Sequence, residues 1–406
     1  MAHDATPPVV IRDLISPDEK REAFALFRTA MLGLPDLGAT DPGAETRYLE
    51  SGAFLGAFEA DRLRAVANGY ASEITLPGGA SLPHLSVTHV GTGIGATRRG
   101  FARSLLAAQL QRARAAGLPL AGLRASDARI YGRYGFGIGS WSVSHELDLT
   151  GTRPLPEAAS TPLRAVDPLG DLPLLRRIAE TEPAPRPARL ARWDAWWEMQ
   201  AFRLRHAPGV HHAVVVGPPG AESGYLRFHS DAAGAWFTAS ERRAVIDDFV
   251  AHDAGAWRTL IHYLFSRDIL HRVIFPSRPE DDPLPLLIDN PRALQIAGRR
   301  DESWIRILDP ETVLAALPVK SGLRIELQVK DPVIAENNRV YQIGDRNSAI
   351  FARISISVAD LSSWIFGAVS AAALLVTDRI SASADTVAAL DSLHPGGEKP
   401  WSGISF

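Results

Sequence analysis

Residues 87–102 read Val-Thr-His-Val-Gly-Thr-Gly-Ile-Gly-Ala-Thr-Arg-Arg-Gly-Phe-Ala, and this segment decides how the whole chain is interpreted. Leu85–Val90 predicts a strand. The Leu-, Ala- and Arg-rich stretch from about Arg98 to Ala116, closed by Gly117 and Pro119, predicts an amphipathic helix. A strand that stops at small residues and meets a helix N-terminus leaves several N–H groups unpaired at the positive end of a helix dipole, which suits an anionic phosphate. Arg98 and Arg99 add formal charge, while Gly100 and Ala102 let the backbone approach an anion closely. Two other readings use the same residues. Gly91, Gly93 and Ala96 satisfy the dinucleotide fingerprint G-x-G-x-x-A after a strand, but the acid expected roughly 20 residues on is missing, the next acidic residue being Asp127. A glycine loop with a solvated arginine pair opening a surface helix is the plain alternative.

Working outward, Ser16–Leu32 predicts a helix with Ser16 as N-cap, Pro17 in the first helical position and Glu19 in the third. Ala53–Phe58 and Leu63–Ile74 predict strands before the central segment, and Leu120–Arg124 and Ser140–Leu149 strands after it. Gly151–Ala159 and the Pro-rich Glu182–Pro187 read as a linker and a long loop. A second α/β unit follows, with strands predicted at His212–Val216, Gly224–His229, Gly234–Ser240 and Arg272–Ser277. Its helix is placed at Glu241–Ser266, carrying Val245, Phe249, Trp257, Ile261 and Leu264, and it has no glycine- and arginine-rich loop of its own. From about Pro291 the texture changes again. The segment Trp304–Asp309 leads into strands at Leu323–Val329, Val340–Ile343 and Ala352–Val358, an apolar helix at Trp364–Val376 and a last helix at Ser383–Leu393. The fold class is mixed α/β, and the predicted domains are 1–150, 151–291 and 292–406.

Composition bounds the function. At 406 residues the chain is too long for one ordinary core. A net charge of -3 supplies no overall basic field for nucleic acid or anionic lipid. The absence of cysteine excludes disulfides, thiolate nucleophiles and thiolate metal sites. No signal peptide is readable at the N-terminus, so cytoplasm is the default. The longest apolar run, Trp364–Val376, is short of the roughly 20 residues that cross a bilayer. Neither His211-His212 nor His262 and His271 shows the HExxH or HxH context of a metal site. There is no G-x-S-x-G nucleophile elbow.

Arg98-Arg99-Gly100-Phe101-Ala102, opening a helix after a strand, resembles the coenzyme A pyrophosphate loop, R-R-x-G-x-G/A, of the GNAT acetyltransferase superfamily. Further on, Ser126-Asp127-Ala128-Arg129-Ile130-Tyr131-Gly132-Arg133-Tyr134-Gly135-Phe136 is similar to the S-x-x-x-I-Y-x-R-F/Y-G-F/Y signature of the Eis-type aminoglycoside acetyltransferases. The likeness runs through the chain to Phe406. Thr97 stands where that family commonly has its first arginine, and Ile94 where it has a proline, so the phosphate clamp is one charge weaker.

The resemblance implies two tandem GNAT-like mixed-sheet domains followed by a sterol-carrier-protein-like α/β domain. It implies transfer of acetyl from acetyl-CoA, without a metal, to primary amines of an aminoglycoside or other polyamine-like substrate, and a homo-oligomer, in the family a hexamer, with no nucleic-acid or membrane partner. Cosubstrate contacts fall on His89, Val90, Gly91, Thr92, Thr97, Arg98, Arg99, Gly100, Phe101, Ala102, Ser126 and Ile130. Tyr131 becomes the general acid and the α-carboxylate of Phe406 the general base.

The chemistry is consistent with these roles. A strand distorted at Gly91 and Gly93 leaves N–H groups for the pantetheine and the thioester oxygen. A phenol with pKa about 10 stays protonated at neutral pH and can donate to a thiolate whose conjugate acid lies at about 8.5. A terminal carboxylate, with pKa about 3.5, is always ionised and can accept the ammonium proton through water. Against the first role, Tyr131 can equally be a packing aromatic beside Tyr134 and Phe136. His84 and His89, five apart on one strand, point to opposite faces and cannot act together. A lipid carrier built on the C-terminal domain is the alternative from another class, although it gives the Arg98–Tyr131 region nothing to do.

Overall fold

The structure is a computed structural model that describes residues 9–32, 34, 36–155, 161–183, 186–207, 209–231, 238–318, 321–393 and 397–404. Its first strand is β1 (Val10–Leu14), and helix α1 (Pro17–Met31) follows. The start of α1 is fixed as the sequence predicts. Ser16 accepts from the Glu19 N–H, and the Glu19 carboxylate accepts from the Ser16 N–H at 3.1 Å, a complete capping box. Two short helices, α2 (Leu37–Thr40) and α3 (Pro42–Glu50), are each capped by an aspartate, Asp36 and Asp41. Then come β2 (Phe54–Glu59), β3 (Arg62–Thr75), β4 (Ser81–Thr92), α4 (Phe101–Ala115), β5 (Leu120–Leu123), α5 (Ala128–Tyr131) and β6 (Gly137–Asp148). The middle of the chain supplies β7 (Leu163–Val166), α6 (Leu172–Glu180), α7 (Asp194–His206), β8 (His211–Val216), β9 (Gly224–Ser230), β10 (Arg243–Ala251), α8 (Ala254–Phe265), β11 (Arg272–Arg278) and β12 (Leu294–Ile307). The last part holds α9 (Pro310–Ala315), β13 (Arg324–Lys330), β14 (Val340–Gly344), β15 (Ala352–Ser357), α10 (Val358–Ile365), α11 (Ala371–Val376) and α12 (Ala384–Asp391).

Contacts divide the chain into one unit of Met1–Ser140, Arg186–Glu198 and Asp301–Phe406, and a second of Trp141–Pro185 and Met199–Arg300. In the first unit, β1 to β4 form an antiparallel run, β5 adds parallel to β4, and Trp304–Ile307 of β12 adds antiparallel to β5. Helix α4 links the parallel pair. It buries Phe101, Leu105, Leu106 and Leu110, the stripe that a 3.6-residue period places on one face. A smaller sheet, β14-β13-β15, stands apart. The second unit repeats the plan: β7 to β10 are antiparallel, β11 lies parallel to β10, and α8 connects the two.

Two predicted helices are corrected. Glu241–Ser266 is a strand and a helix, β10 and α8, separated at Asp253, which caps α8 through the Ala256 N–H. A register slip between Ile246 and Asp248 breaks the two-residue alternation of β10, so Ile246 and Phe249, three residues apart, share the core-facing side, a helical spacing inside a strand. The run Trp364–Val376 is likewise interrupted. Helix α10 ends near Gly367, whose φ of 81° is a left-handed conformation natural to glycine, and Ser370 caps α11. The predicted strand Gly234–Ser240 falls mostly outside the described residues, and 238–240 form no strand. Among the described residues no helix is long and apolar enough to cross a membrane.

Candidate active site

The site is organised by an irregularity in β4. Pairing with β3 runs Gly91 to Val66 and then Thr88 to Asn68, so His89 and Val90 together oppose Ala67 in a β-bulge. His89 carries the strain, with φ 48°. The bulge lies one to two residues before the distortion predicted at Gly91 and Gly93. Gly91 serves another close approach: a Cβ there would stand 3.0 Å from the Phe27 Cα of α1. On its other edge β4 pairs with β5 only through His84–Ser86, whereas β4 continues to Thr92. The two strands therefore part, and the last residues of β4 have no strand partner on that edge.

The bulge also changes which way the histidines face. Leu85, Val87 and Val90 pack in the apolar clusters with α4, so the extra residue returns His89 to the face opposite α4, the face on which alternation also places His84. This corrects the expectation of opposite faces. Neither imidazole is suited to proton transfer, because burial pushes both down to about 3. Asn68 Nδ2 donates to His89 Nδ1 at 3.1 Å, and Asn68 is oriented by accepting from the Gly69 N–H. His89 then donates from Nε2 to the Tyr48 hydroxyl at 2.9 Å. Its side chain is a neutral bridge in a ring of Phe24, Phe27, Phe54 and Tyr70.

Beyond the bulge, the N-terminus of α4 opens into a groove of about 630 Å³. Thr92, Arg98, Gly100, Phe101 and Ala102 line it, together with Arg103 and Arg133, and Pro332 and Val333 close one side. Gly100 is the N-cap with φ 89° and supplies no capping side chain, so the first N–H groups of the helix remain available to an anion. Arg98, also at positive φ, and Arg103 and Arg133 surround this opening. Arg99 is placed differently: its guanidinium pairs with Glu59, which Arg64 also binds at 2.8 Å, and lies over the Phe101 ring. Arg103 and Arg133 were missed as site residues. The first lies one turn beyond Arg99 on the predicted helix, and the second is inside the quoted Tyr131 signature, so both had a signal. In the second unit the corresponding helix start is capped by the Asp253 carboxylate, whose negative charge opposes an anion there.

Tyr131 ends α5 and is 6% exposed. Burial raises its phenol above the usual value, while a hydrogen bond with Ser126 acts in the opposite direction. Its ring meets Phe136 edge-on at 6.0 Å, so packing and protonation are served by one environment. Ile130 is exposed, and Thr97 lies in the exposed turn before α4. The loop after Tyr131 is held by Arg306, fully buried, whose Nε donates to the Tyr134 carbonyl at 2.9 Å. The same guanidinium binds both oxygens of Asp331, which in turn accepts from the Val333 and Ile334 N–H groups beside the groove.

The last described residues return to the first unit. Glu302, 1% exposed, accepts from the Ser402 N–H at 2.9 Å, the Ser402 hydroxyl at 2.6 Å and the Ser140 hydroxyl at 2.7 Å. Arg124, just past β5, donates to the Ile404 carbonyl at 3.0 Å. Leu190 and Pro187 pair through the backbone with Ser402 and Trp401. Phe406 itself lies outside the described residues. Glu302 and Arg124 carried no local signal, since their partners are about a hundred or more positions away.

Residues 12–139 and 188–307 each match an acetyltransferase (GNAT) domain family, and residues 310–403 match a sterol carrier protein domain. A mixed sheet with a parted β4–β5 edge and an open helix N-terminus is therefore that of a GNAT-family N-acetyltransferase. The crystal structure of Eis1 from Mycobacterium abscessus superposes with a TM-score of 0.87 at 32% sequence identity, covering 98% of this chain and all 100% of that one. The N-acetyltransferase Eis of Mycobacterium tuberculosis is 28% identical over 281 residues, 64% of this chain and 66% of its own length. An uncharacterized N-acetyltransferase of Streptomyces griseus is 28% identical over 368 residues, 85% of this chain and 87% of its own. The chain belongs to the Eis-type family of GNAT N-acetyltransferases.

Proposed function

We propose that this enzyme transfers the acetyl group of acetyl-CoA to primary amines of an aminoglycoside or another polyamine-like substrate. The observation that carries the reading is the groove at the open N-terminus of α4, where Arg98, Arg103 and Arg133 surround unfilled helix N–H groups beside the loop of Tyr131. The pyrophosphate of the cosubstrate binds there, on Arg98 through Ala102, with charge-assisted contacts. Thr97, Arg99, Ser126 and Ile130 complete the assigned contacts, Arg99 the weakest of them because Glu59 engages its guanidinium. The thioester lies along the unpaired edge of β4 at His89–Thr92, whose backbone N–H groups stabilise the developing oxyanion.

The neutral amine attacks the thioester carbon, the C–S bond breaks as the tetrahedral intermediate collapses, and Tyr131 gives its proton to the departing thiolate. We assign the base to the carboxylate at residue 406, reached through the tail that Glu302 and Arg124 hold against the first unit. The proton lost by the amine passes to it through water. We divide the chain at 1–150, 151–291 and 292–406, and infer a cytoplasmic homo-oligomer, a hexamer as in the family. In the carrier alternative, the apolar helix would face a lipid. Here Trp364, Ile365 and Phe366 are buried in the protein's own core.

Free-thiol release from acetyl-CoA, followed across a panel of aminoglycosides, polyamines and lysine peptides, tests the reading. Turnover with at least one multiply charged amine is the expected result. Retention of lipid by the purified chain, with no thiol release on any amine, would favour the carrier.

A further inference from the structure

The second unit contains a cluster of side chains that acetyl transfer does not use. His211 on β8 and His229 on β9 stand directly opposite each other across an antiparallel pair, their ring centroids 5.4 Å apart. On the next strand the register slip between Ile246 and Asp248 makes Asp247 the extra residue of a bulge, beside the Val245–His229 pair. A bulge re-aims its side chain. Here the Asp247 carboxylate reaches both rings, with Oδ1 2.9 Å from His229 Nδ1 and Oδ2 3.4 Å from His211 Nδ1. The three donor atoms lie within 4.8 Å of one another.

An ion pair accounts for only part of this arrangement. Asp247 holds the His229 imidazole above its usual pKa, as a carboxylate neighbour should. His211 is left over. Among the described residues neither of its solvent-shielded ring nitrogens has a hydrogen-bond partner, and it meets Asp247 only as an ion-pair contact at 3.4 Å. Buried polar groups in native proteins are nearly always satisfied, so an orphaned imidazole facing a carboxylate and a second imidazole points to a ligand that accepts lone pairs.

We propose that His211, His229 and Asp247 bind a divalent transition-metal ion of the zinc type. Donors at about 2.0–2.1 Å from a tetrahedral zinc stand about 3.3–3.4 Å from one another. The His211–Asp247 separation of 3.4 Å matches this, and the His229–Asp247 hydrogen bond of 2.9 Å opens slightly as its proton gives way to the ion. Two imidazoles with one carboxylate favour zinc-like ions over magnesium and calcium, which take oxygen ligands. Each donor comes from a different strand, so the ion ties β8, β9 and β10 together. The spacing of the ligands, 18 residues and 18 again, matches no local metal motif, so the site was not legible in the sequence.

The test uses the full, untagged chain, stripped with a chelator and titrated with zinc chloride by calorimetry. One zinc per chain is expected. Loss of a residue that only hydrogen-bonds a metal ligand weakens a metal site by about 10–100-fold, so His211→Gln and Asp247→Asn should each weaken zinc by about 100-fold or more. Magnesium chloride should give no binding, and cobalt should develop visible absorption in the wild type that both variants lack. Circular dichroism checks the fold of each variant, with His229→Gln replacing either one that fails to fold. Absence of zinc binding in the wild type, or equal affinity in wild type and folded variants, would overturn the proposal.

Discussion

Glu302 receives both the backbone N–H and the hydroxyl of Ser402, at 2.9 and 2.6 Å, in a site from which solvent is excluded. One residue of the first unit thereby fixes the path of the tail that leads to residue 406, and Ser140 steadies the same carboxylate. Hydrogen bonds to a charged group are worth about 1.5–3 kcal/mol each. Glu302→Gln, which turns one acceptor into a donor facing donors, should release the tail to proteolysis after residue 397 and lower kcat at least about tenfold. The KM for acetyl-CoA should stay within about threefold, because the groove is untouched. A tail released to proteolysis with unchanged kcat would separate the anchor from catalysis, and a tail still protected would show that Glu302 does not anchor it.

The arginines of the groove should divide by their partners. Arg98→Ala with Arg103→Ala removes two cations that line the groove, so the KM for acetyl-CoA should rise at least about tenfold, at about 1.5–3 kcal/mol per charge-assisted contact. Arg99→Ala should cost less than about threefold, since its guanidinium is already engaged by Glu59. Initial rates over a range of acetyl-CoA concentrations, at low and moderate salt, read both effects. Equal losses in the two variants would mean that Arg99 leaves Glu59 for the cosubstrate.

Tyr131→Phe keeps the ring against Phe136 and removes the hydroxyl that carries the proton, together with its hydrogen bond to Ser126. General acid catalysis contributes about 10²–10⁴-fold, so kcat should fall by about that factor with little change in thermal stability or cosubstrate affinity. Stopped-assay kinetics beside a melting curve separates the outcomes. A kcat within about threefold of wild type would leave Tyr131 as a packing residue.

Acid should destabilise the fold through its neutral histidines. The folded-state pKa of His84 and His89 is about 3, below the usual 6.5, so the unfolded chain takes up protons that the folded chain refuses. The stability they confer is complete above pH 6.5 and is lost as pH falls from there towards about 3. Each histidine contributes a slope of about 1.4 kcal/mol per pH unit within that window. Urea midpoints between pH 7 and pH 5 should fall, and His89→Gln should flatten the decline. Parallel declines would place the acid sensitivity elsewhere.

Local signals made much of the first unit legible. The capping box at Ser16, the breaker pair Gly117 and Pro119 after α4, and the alternation of β2 to β4 rest on neighbours in sequence, and so does the loop at Arg98–Ala102. Bulges were invisible because they change direction without changing composition. One at His89 turned that side chain to the face of His84, and another at Asp247 made a strand imitate a helix. Contacts between distant positions were invisible for a different reason. The Glu302–Ser402 anchor and the buried Arg306–Asp331 pair depend on where the fold brings β12, which no local pattern encodes. Breaking such a buried pair typically costs about 3–5 kcal/mol, so both belong to the fold as much as to the site.

The most direct test of the central claim is mass spectrometry of an aminoglycoside and of a linear polyamine after incubation with acetyl-CoA and either the wild-type chain or Tyr131→Phe. The account predicts that at least one amine gains acetyl groups with the wild type, and that acetylation nearly disappears with the variant. Unmodified amines with a folded wild-type enzyme that binds acetyl-CoA would contradict the proposed acceptor class, and equal acetylation by both proteins would contradict the assignment of Tyr131 as the acid.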